Sequence, residues 1–585
     1  MSFSTLWPNR SNRPTAKGKS SKTEPVVLQQ TVVINNKLDL KKLPGRIVKL
    51  RPDIVGPTLA SKLCPAILEN NIWVILVTPE YSRSDLVHST RETCTKENGG
   101  TPPSVYQITP TYLLTLREGT ASNSSHGRKD ASTVYKAAFD EIISWGVRNN
   151  ASDVHLNVFQ QEVVSQVCFS IDGKYVAPSR WAIPTDRMVE ILNVAWMDSK
   201  GGASSVFNGD IEQQCRIEVI VDNSRVMGRW ASMATDRGPS VCLRLLKTEK
   251  SVVTRTLAEQ GFLPSQIAML DRAQLSEGGA IILAGVVGSG KSTTIARLMS
   301  SLPNTRKIIT LEDPVEYRIA NALQNTISRS LEGKDEDSFS AKLKTIKRSA
   351  PHDLLIGEIR DQVTGEAFMD LSGSGTNVYS TVHAKSHFQI PERLASSAIG
   401  IPNSFLASPG ILNLLVFQAL IPVLCTHCAL PLESLAIEGG TDIRGIERSK
   451  DYWKHYIDRI ARVYKVDPSM MRIKDGQGCS HCRREEIPEL SGYAGRTVVA
   501  EMIEPNADRE VLRCVMDGNT LKLQEHLERL ERTAIDDEDM TNKSIMECAL
   551  YKSVNGLFDP RDIEIRTRSF ETDELIRRQI AGVTG

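Results

Sequence analysis

Gly285-Val-Val-Gly-Ser-Gly290-Lys291-Ser292 spells GxxxxGK[ST], whose residue types suit the grip of a polyphosphate. Its glycines let the backbone wrap closely, so that N–H groups point inward at phosphate oxygens. Lys291 can then reach the β and γ phosphates, and the Ser292 hydroxyl can hold Mg²⁺. A helix opening at Ser292 would add its positive N-terminal end. The candidate nucleotide-binding residues are therefore Gly285, Gly288, Ser289, Gly290, Lys291, Ser292 and Thr293, with ATP and Mg²⁺ as the ligands.

Such a loop needs a carboxylate near the metal and a group that positions water. Leu354-Leu-Ile-Gly-Glu358 is a buried-type strand ending in a carboxylate, the form of a Walker B element. Glu312, in LEDPVEY just past the apolar run KIITL, is the second candidate. Strand ends in α/β sheets line the ligand crevice, so both carboxylates can face the terminal phosphate. Spacing alone leaves open which of the two is the catalytic base.

Cys425-x-x-Cys428 and Cys479-x-x-Cys482 form a double CxxC. Each CxxC turn brings two sulfurs to one side of an ion, and four thiolates suit tetrahedral Zn²⁺ in a closed, structural site. The 50 intervening residues exceed the usual spacing, yet lengthening a loop from about 20 to about 50 residues costs only about 0.8 kcal/mol. Neither pair has the strand-to-helix setting of a redox motif. His427 or His481 replacing a sulfur is the other open ligand set. The segment between the pairs, about Glu433 to Lys474, is charged and contains DYWKHYIDRIARVYKV, a helix pattern with an apolar Tyr, Trp and Ile face.

These groups need a scaffold, and the chain is long enough for several domains. Its 585 residues imply three or four, and 40% apolar with 24% charged residues is ordinary globular usage. Residues 1–25 have the composition of a flexible tail, and 26–117 that of a compact domain without an assignable role. A linker at 118–130 precedes an amphipathic helix and short alternating runs, a small mixed α/β domain over 131–247. After a second linker at 248–262, strand-like runs (AIILA, KIITL, LLIG, NVYST) alternate with helix-length stretches over 263–421, the pattern of a parallel sheet covered by helices. The cysteine module occupies 422–500 and a helical region 501–585.

Seventy-one basic against 70 acidic residues give no global reason to hold a polyanion. The longest apolar run, Gly410 to Cys425, is interrupted by Asn413, Gln418 and Pro422 and is too short for a membrane span. No secretory signal follows the first basic residues, and eleven cysteines then read as reduced thiols. A cytoplasmic chain is the expectation.

The order P-loop, LEDPVEY, LLIGEIRD and STVHA resembles the ATPases of the type II secretion and type IV pilus assembly family. ASDVH (151–155), IDG (171–173), CTHC, GCSHC and GYAGRTVVAEM (492–502) fit it too, so the resemblance covers roughly 131–505. It implies an α/β fold: a RecA-like core preceded by a smaller, PAS-like mixed α/β domain, with an inserted tetracysteine zinc module. It implies Glu312 and Glu358 as catalytic carboxylates, and His383 as the contact to the terminal phosphate. Arg229 and Arg244, 15 residues apart, would bring positive charge from the preceding domain. Further implications are a homo-hexamer and an inner-membrane platform protein as partner. The chain would sit peripheral to that membrane through its partners and power a pilus or pseudopilus, with no nucleic acid expected. A conjugation-linked DNA motor and a non-hydrolysing nucleotide-gated scaffold are the alternatives. The chain departs from the family at Thr376, where many members carry a second histidine, and at Ala419 and Ser170, where arginine is common.

Overall fold

The computed structural model describes residues 33–34, 39–56, 59–110, 112–113, 116–117, 127–201, 206–247, 255–327, 336–580 and 582. The tail expected at 1–25 lies outside them, as do 118–126 and 248–254 of the two expected linkers. The chain divides into two compact units, Met1–Val134 and Tyr135–Gly585.

In the first unit, five strands line up in the order Val33–Ile34, Ser104–Ile108, Trp73–Val77, Leu63–Leu68, Ile47–Leu50. Two adjacent inner strands, LCPAIL and WVILV, are almost wholly buried, which their unbroken apolar sequences require. One helix, Asp85–Glu97, packs Val87 onto Leu63, Ile75 and Val77.

The second unit begins with an antiparallel sheet in the order Gln213–Val221, Ser224–Met233, Ser240–Lys247, Ala151–Asn157, Val164–Ile171, Lys174–Val176. Its strands alternate buried and exposed residues, so one face packs and the other looks outward. The packed face holds Phe169, Trp181, Trp196 and Trp230, with Trp196 and Trp230 rings edge-to-face at 5.5 Å. The outward face carries Arg229 directly opposite Arg244, and Arg244 directly opposite Asp153.

The larger sheet runs Ala322–Thr326, Ile308–Glu312, Asp353–Ile356, Asn377–Val382, Ala280–Ala284, Leu412–Leu424, Tyr493–Ile503. Every pair in it is parallel except the last, in which Leu412–Leu424 and Tyr493–Ile503 run antiparallel. The apolar run that interrupts at Asn413, Gln418 and Pro422 is thus a buried 13-residue strand. Among the described residues no helix is long and apolar enough to cross a membrane. Positions 422 and 500 both fall inside this antiparallel pair, so the cysteine segment is a long excursion between two strands of the main sheet. Within it, helix Lys450–Tyr464 buries Trp453, Tyr456, Ile460 and Tyr464 at helical spacing. That face packs on helix Phe570–Ile580, where Tyr464 donates to Asp573 at 2.6 Å.

Candidate functional site

The strand Ala280–Ala284 delivers the chain into the loop, and the helix Lys291–Ser300 receives it. Gly285, Gly288 and Gly290 all have positive φ, at 154°, 76° and 86°. A Cβ on Gly285 would lie 2.4 Å from the Gln418 carbonyl, so a side chain there is sterically barred. At Gly288 the space is open, leaving room for a ligand to approach the backbone.

Lys291 is 9% exposed, and its ammonium donates to the carbonyls of Gly285 at 2.7 Å and Val286 at 3.1 Å. Burial lowers its pKa, opposed by the nearby charges of Glu358 and Glu316. The loop therefore curls around its own lysine, whose ammonium is held by the loop's carbonyls. Gln418, from the buried Leu412–Leu424 strand, donates to the Ser289 carbonyl at 2.8 Å and pins the loop from below. Thr293 donates to the Tyr317 hydroxyl at 2.9 Å, tying the helix start to the acidic box.

Three neighbouring strands bring the other groups to the same rim. Leu311 pairs with Ile356, and Ile356 with Ser380, so Glu312, Glu358 and His383 leave adjacent parallel strands at their carboxyl ends. Glu312 accepts from Thr310 Oγ1 at 2.6 Å and from Gln324 Nε2 at 3.2 Å. Burial still pushes its carboxyl above the usual glutamate range. Glu358 stands 3.2 Å from His383 Nε2. Asp361 caps the following helix by accepting from the Thr364 N–H at 3.0 Å, which fixes the GEIRD turn behind Glu358.

The outward face of the antiparallel sheet forms the opposite wall. Arg229 donates to the Asp313 carbonyl at 3.1 Å and lies 3.7 Å from its carboxylate. On the other side of Asp313, Arg360 approaches to 3.9 Å. Arg244 is held by Asp153 at 3.0 Å. All five residues expected to be catalytic, Glu312, Glu358, His383, Arg229 and Arg244, line one cavity of about 340 Å³. Gly288, Lys291 and Ser292 line it too, whereas Gly285, Ser289, Gly290 and Thr293 shape the loop from behind.

Sequence reasoning passed over Arg360, Asp313 and Gln418. Arg360 and Asp313 sat inside quoted motifs, GEIRD and LEDPVEY, where a basic residue beside an acidic box was the available signal. Gln418 had one signal, a lone amide in an apolar run. At the departures, Ser170 contacts His155 Nε2 at 2.9 Å, Thr376 lies 3.4 Å from the Pro351 carbonyl, and Ala419 is buried.

Outside the lining of this cavity, the four thiols of Cys425, Cys428, Cys479 and Cys482 all lie within 4.8 Å of one another. Three of their S···S distances are 3.8, 3.5 and 3.7 Å. Tetrahedral Zn–S bonds of about 2.3 Å require S···S separations of about 3.8 Å, so the donor set fits this ion. The His427 and His481 rings stack on each other at 3.9 Å, with Nδ1 atoms 3.9 Å from Cys425 and Cys479 sulfurs. They border the cluster without displacing a thiol from it.

The family described as Type II/IV secretion system protein matches residues 128–549. Type II secretion system protein E of Pseudomonas aeruginosa is 28% identical over 365 residues, 62% of this chain and 64% of that one, so just under two thirds of that relative is spanned. The putative type II secretion system protein E of Escherichia coli is 25% identical over 76% of this chain and 79% of its own. Among solved structures, the Legionella pneumophila ATPase DotB aligns with a TM-score of 0.46 at 15% identity, over 74% of this chain and 95% of its own. The pilus retraction motor PilT with bound ADP aligns at 0.42 and 19%, over 73% and 96%.

Proposed function

Since the chain belongs to the Type II/IV secretion system protein family, we propose that it is an ATP-hydrolysing motor for type IV pilus assembly or type II pseudopilus extension. In this reading it works as a homo-hexamer in the cytoplasm, on an inner-membrane platform protein. The observation that carries it is the convergence of P-loop, two carboxylates, a histidine and two arginines on one cavity whose walls come from two different sheets.

The phosphates would be held by the loop N–H groups and Lys291, and Mg²⁺ by Ser292 and Glu358, which line the same cavity. Bound there, Mg²⁺ supplies charge neutralisation at the transferring phosphoryl group. Glu312, ionised and steered by Thr310 and Gln324, orients and deprotonates the attacking water. His383 reports the terminal phosphate to Glu358 through their 3.2 Å contact. Arg229 and Arg244 exchange their carboxylate partners for phosphate oxygens, which draws the antiparallel sheet onto the core. Phosphate loss reverses that exchange, and the two walls part. Zn²⁺ held by Cys425, Cys428, Cys479 and Cys482 is structural in this scheme.

Two measurements test the reading. Lys291→Ala removes charge-assisted donors worth about 1.5–3 kcal/mol each, so ATP affinity should fall by roughly tenfold to hundredfold in a fluorescent-nucleotide titration. Unchanged affinity would contradict the loop's role. The pH profile of phosphate release tests Glu312. Because burial raises its pKa and the base must be ionised, turnover should fall with acidification at a pH above the ordinary glutamate value of about 4.3. Glu312→Gln should abolish that limb along with most of the turnover. A rate that holds level down into the ordinary glutamate range sinks the assignment.

A further inference from the structure

His383 follows the strand Asn377–Val382 into the cavity, and four residues on stands a second histidine. His387 opens the 3₁₀ turn His387–Gln389, has its side chain 11% exposed, and does not line the cavity. Its partner is Glu501, which is 4% exposed on the strand Tyr493–Ile503. The backbone N–H of His387 donates to Glu501 Oε1 at 3.1 Å, and ring Nδ1 stands 2.8 Å from the same carboxylate oxygen. Glu501 Oε2 accepts the Ile545 N–H at 2.8 Å, at the start of the mostly buried helix Ile545–Val554. Burial works to raise the Glu501 pKa, yet the His387 ring and these two N–H groups bring it below the usual glutamate value. The carboxylate is therefore ionised.

A buried ion pair adds little net stability over apolar side chains of the same volume, so stability alone gives no reason for this one. What it fixes is position. Phe417 faces Glu501 and Gln418 faces Ala500 on adjacent rungs of one antiparallel strand pair. Gln418 braces the glycine-rich loop from one rung, and Glu501 holds the histidine segment from the next. His383 and His387 are four residues apart, a reach of at most about 14 Å. Within that reach Ala384 packs on the main core, and the Lys385 N–H donates to Gln389 Oε1 at 3.3 Å, so the segment has little slack. The second oxygen of the tie is fixed to a helix end inside the core.

We propose that His387 and Glu501 are positioning residues for His383, and together set where its imidazole meets Glu358 and the terminal phosphate. The proposal rests on the reading of the cavity as an ATP site and deepens it. His387 touches neither nucleotide nor metal there and acts only through the residue four positions before it. Its loss therefore spares the grip on the two phosphates that ATP and ADP share. What it removes is part of the preference for the third.

The test is the ratio of affinities for a non-hydrolysable ATP analogue and for ADP, each with Mg²⁺, by competition against a fluorescent nucleotide on the full-length chain. His387→Phe keeps a ring and removes both nitrogens. It should shift the ratio toward ADP by at least about fivefold while ADP affinity stays within about twofold. His383→Ala should shift it the same way, and the double variant should match His383→Ala alone, because the two losses are one. If His387→Phe does not fold, His387→Leu takes its place. A ratio unchanged in the His387 variant, an equal loss of both affinities, or a further shift in the double variant overturns the proposal. If His383→Ala itself leaves the ratio at the parent's value, the phosphate-sensing reading of the cavity falls first, and this proposal with it.

Discussion

Arg229→Ala is expected to lower ATP turnover by about 10³–10⁵ while ATP affinity stays within a few-fold, the signature of a group that acts on the transition state. The structure gives the reason for that split. Arg229 has its guanidinium on Asp313, at 3.1 Å from the carbonyl and 3.7 Å from the carboxylate, on the wall that faces the P-loop. In the proposed mechanism most of the ground-state grip comes from Lys291 and the loop backbone on the opposite wall, which the substitution leaves intact. The negative charge that develops on the transferring phosphoryl group is what a fork of N–H donors would meet. Arg229→Lys should rescue little, because an ammonium cannot span two oxygens in one plane. Single-turnover and steady-state kinetics beside a nucleotide titration separate the outcomes. Wild-type kinetics in Arg229→Ala would remove the two-wall mechanism. A loss confined to affinity would reduce Arg229 to a binding residue.

Cys425→Ser is expected to take bound zinc from about one ion per chain to none and to lower thermal stability in the same step. Apparent binding of a structural zinc is about 10–16 kcal/mol in small peptides. Here the four-cysteine cluster closes a segment that also anchors the C-terminal helices. Leu424 donates its N–H to the Leu557 carbonyl at 3.0 Å, and Cys425 to that of Gly492 at 2.9 Å. If only about 4 kcal/mol of the binding energy reaches this region, at about 2–4 °C per kcal/mol the melting midpoint falls by roughly 10 °C. Metal analysis and differential scanning calorimetry on the same preparations check both halves. A parent protein that is metal-free and equally stable would refute the zinc assignment.

Much of the core was legible because phosphate chemistry ties residue type to short spacing. GxxxxGKS, LEDPVEY and GEIRD each keep their reactive groups within a few positions, at strand ends that apolar runs announce. Helix Lys450–Tyr464 could be read from its periodicity, and its buried Trp453, Tyr456 and Ile460 follow that pattern. What escaped depended on distant pairings. Nothing local says that Asp172 meets Arg484 and Arg496, or that Trp145 donates to Glu486. The antiparallel close of the main sheet was also hidden, since 68 residues separate Leu424 from Tyr493 and a parallel neighbour shows the same apolar run. Arg360 was in plain view, but only the position of Asp313 between it and Arg229 makes it part of the cavity.

The strand Leu412–Leu424 touches both centres of the molecule. Gln418 in its middle braces the glycine-rich loop, and its last residue is bonded in sequence to the first thiol of the cysteine cluster. Seven residues of extended chain cover about 23 Å and admit almost no slack. The strand is thus a spacer of set length, and a transplant of the cysteine segment between relatives must leave that spacer's residue count alone. A graft joined beyond Leu424 and before Tyr493 keeps the gauge; one spliced within the strand, with even a single added residue, would turn every later side chain to the opposite side of the sheet.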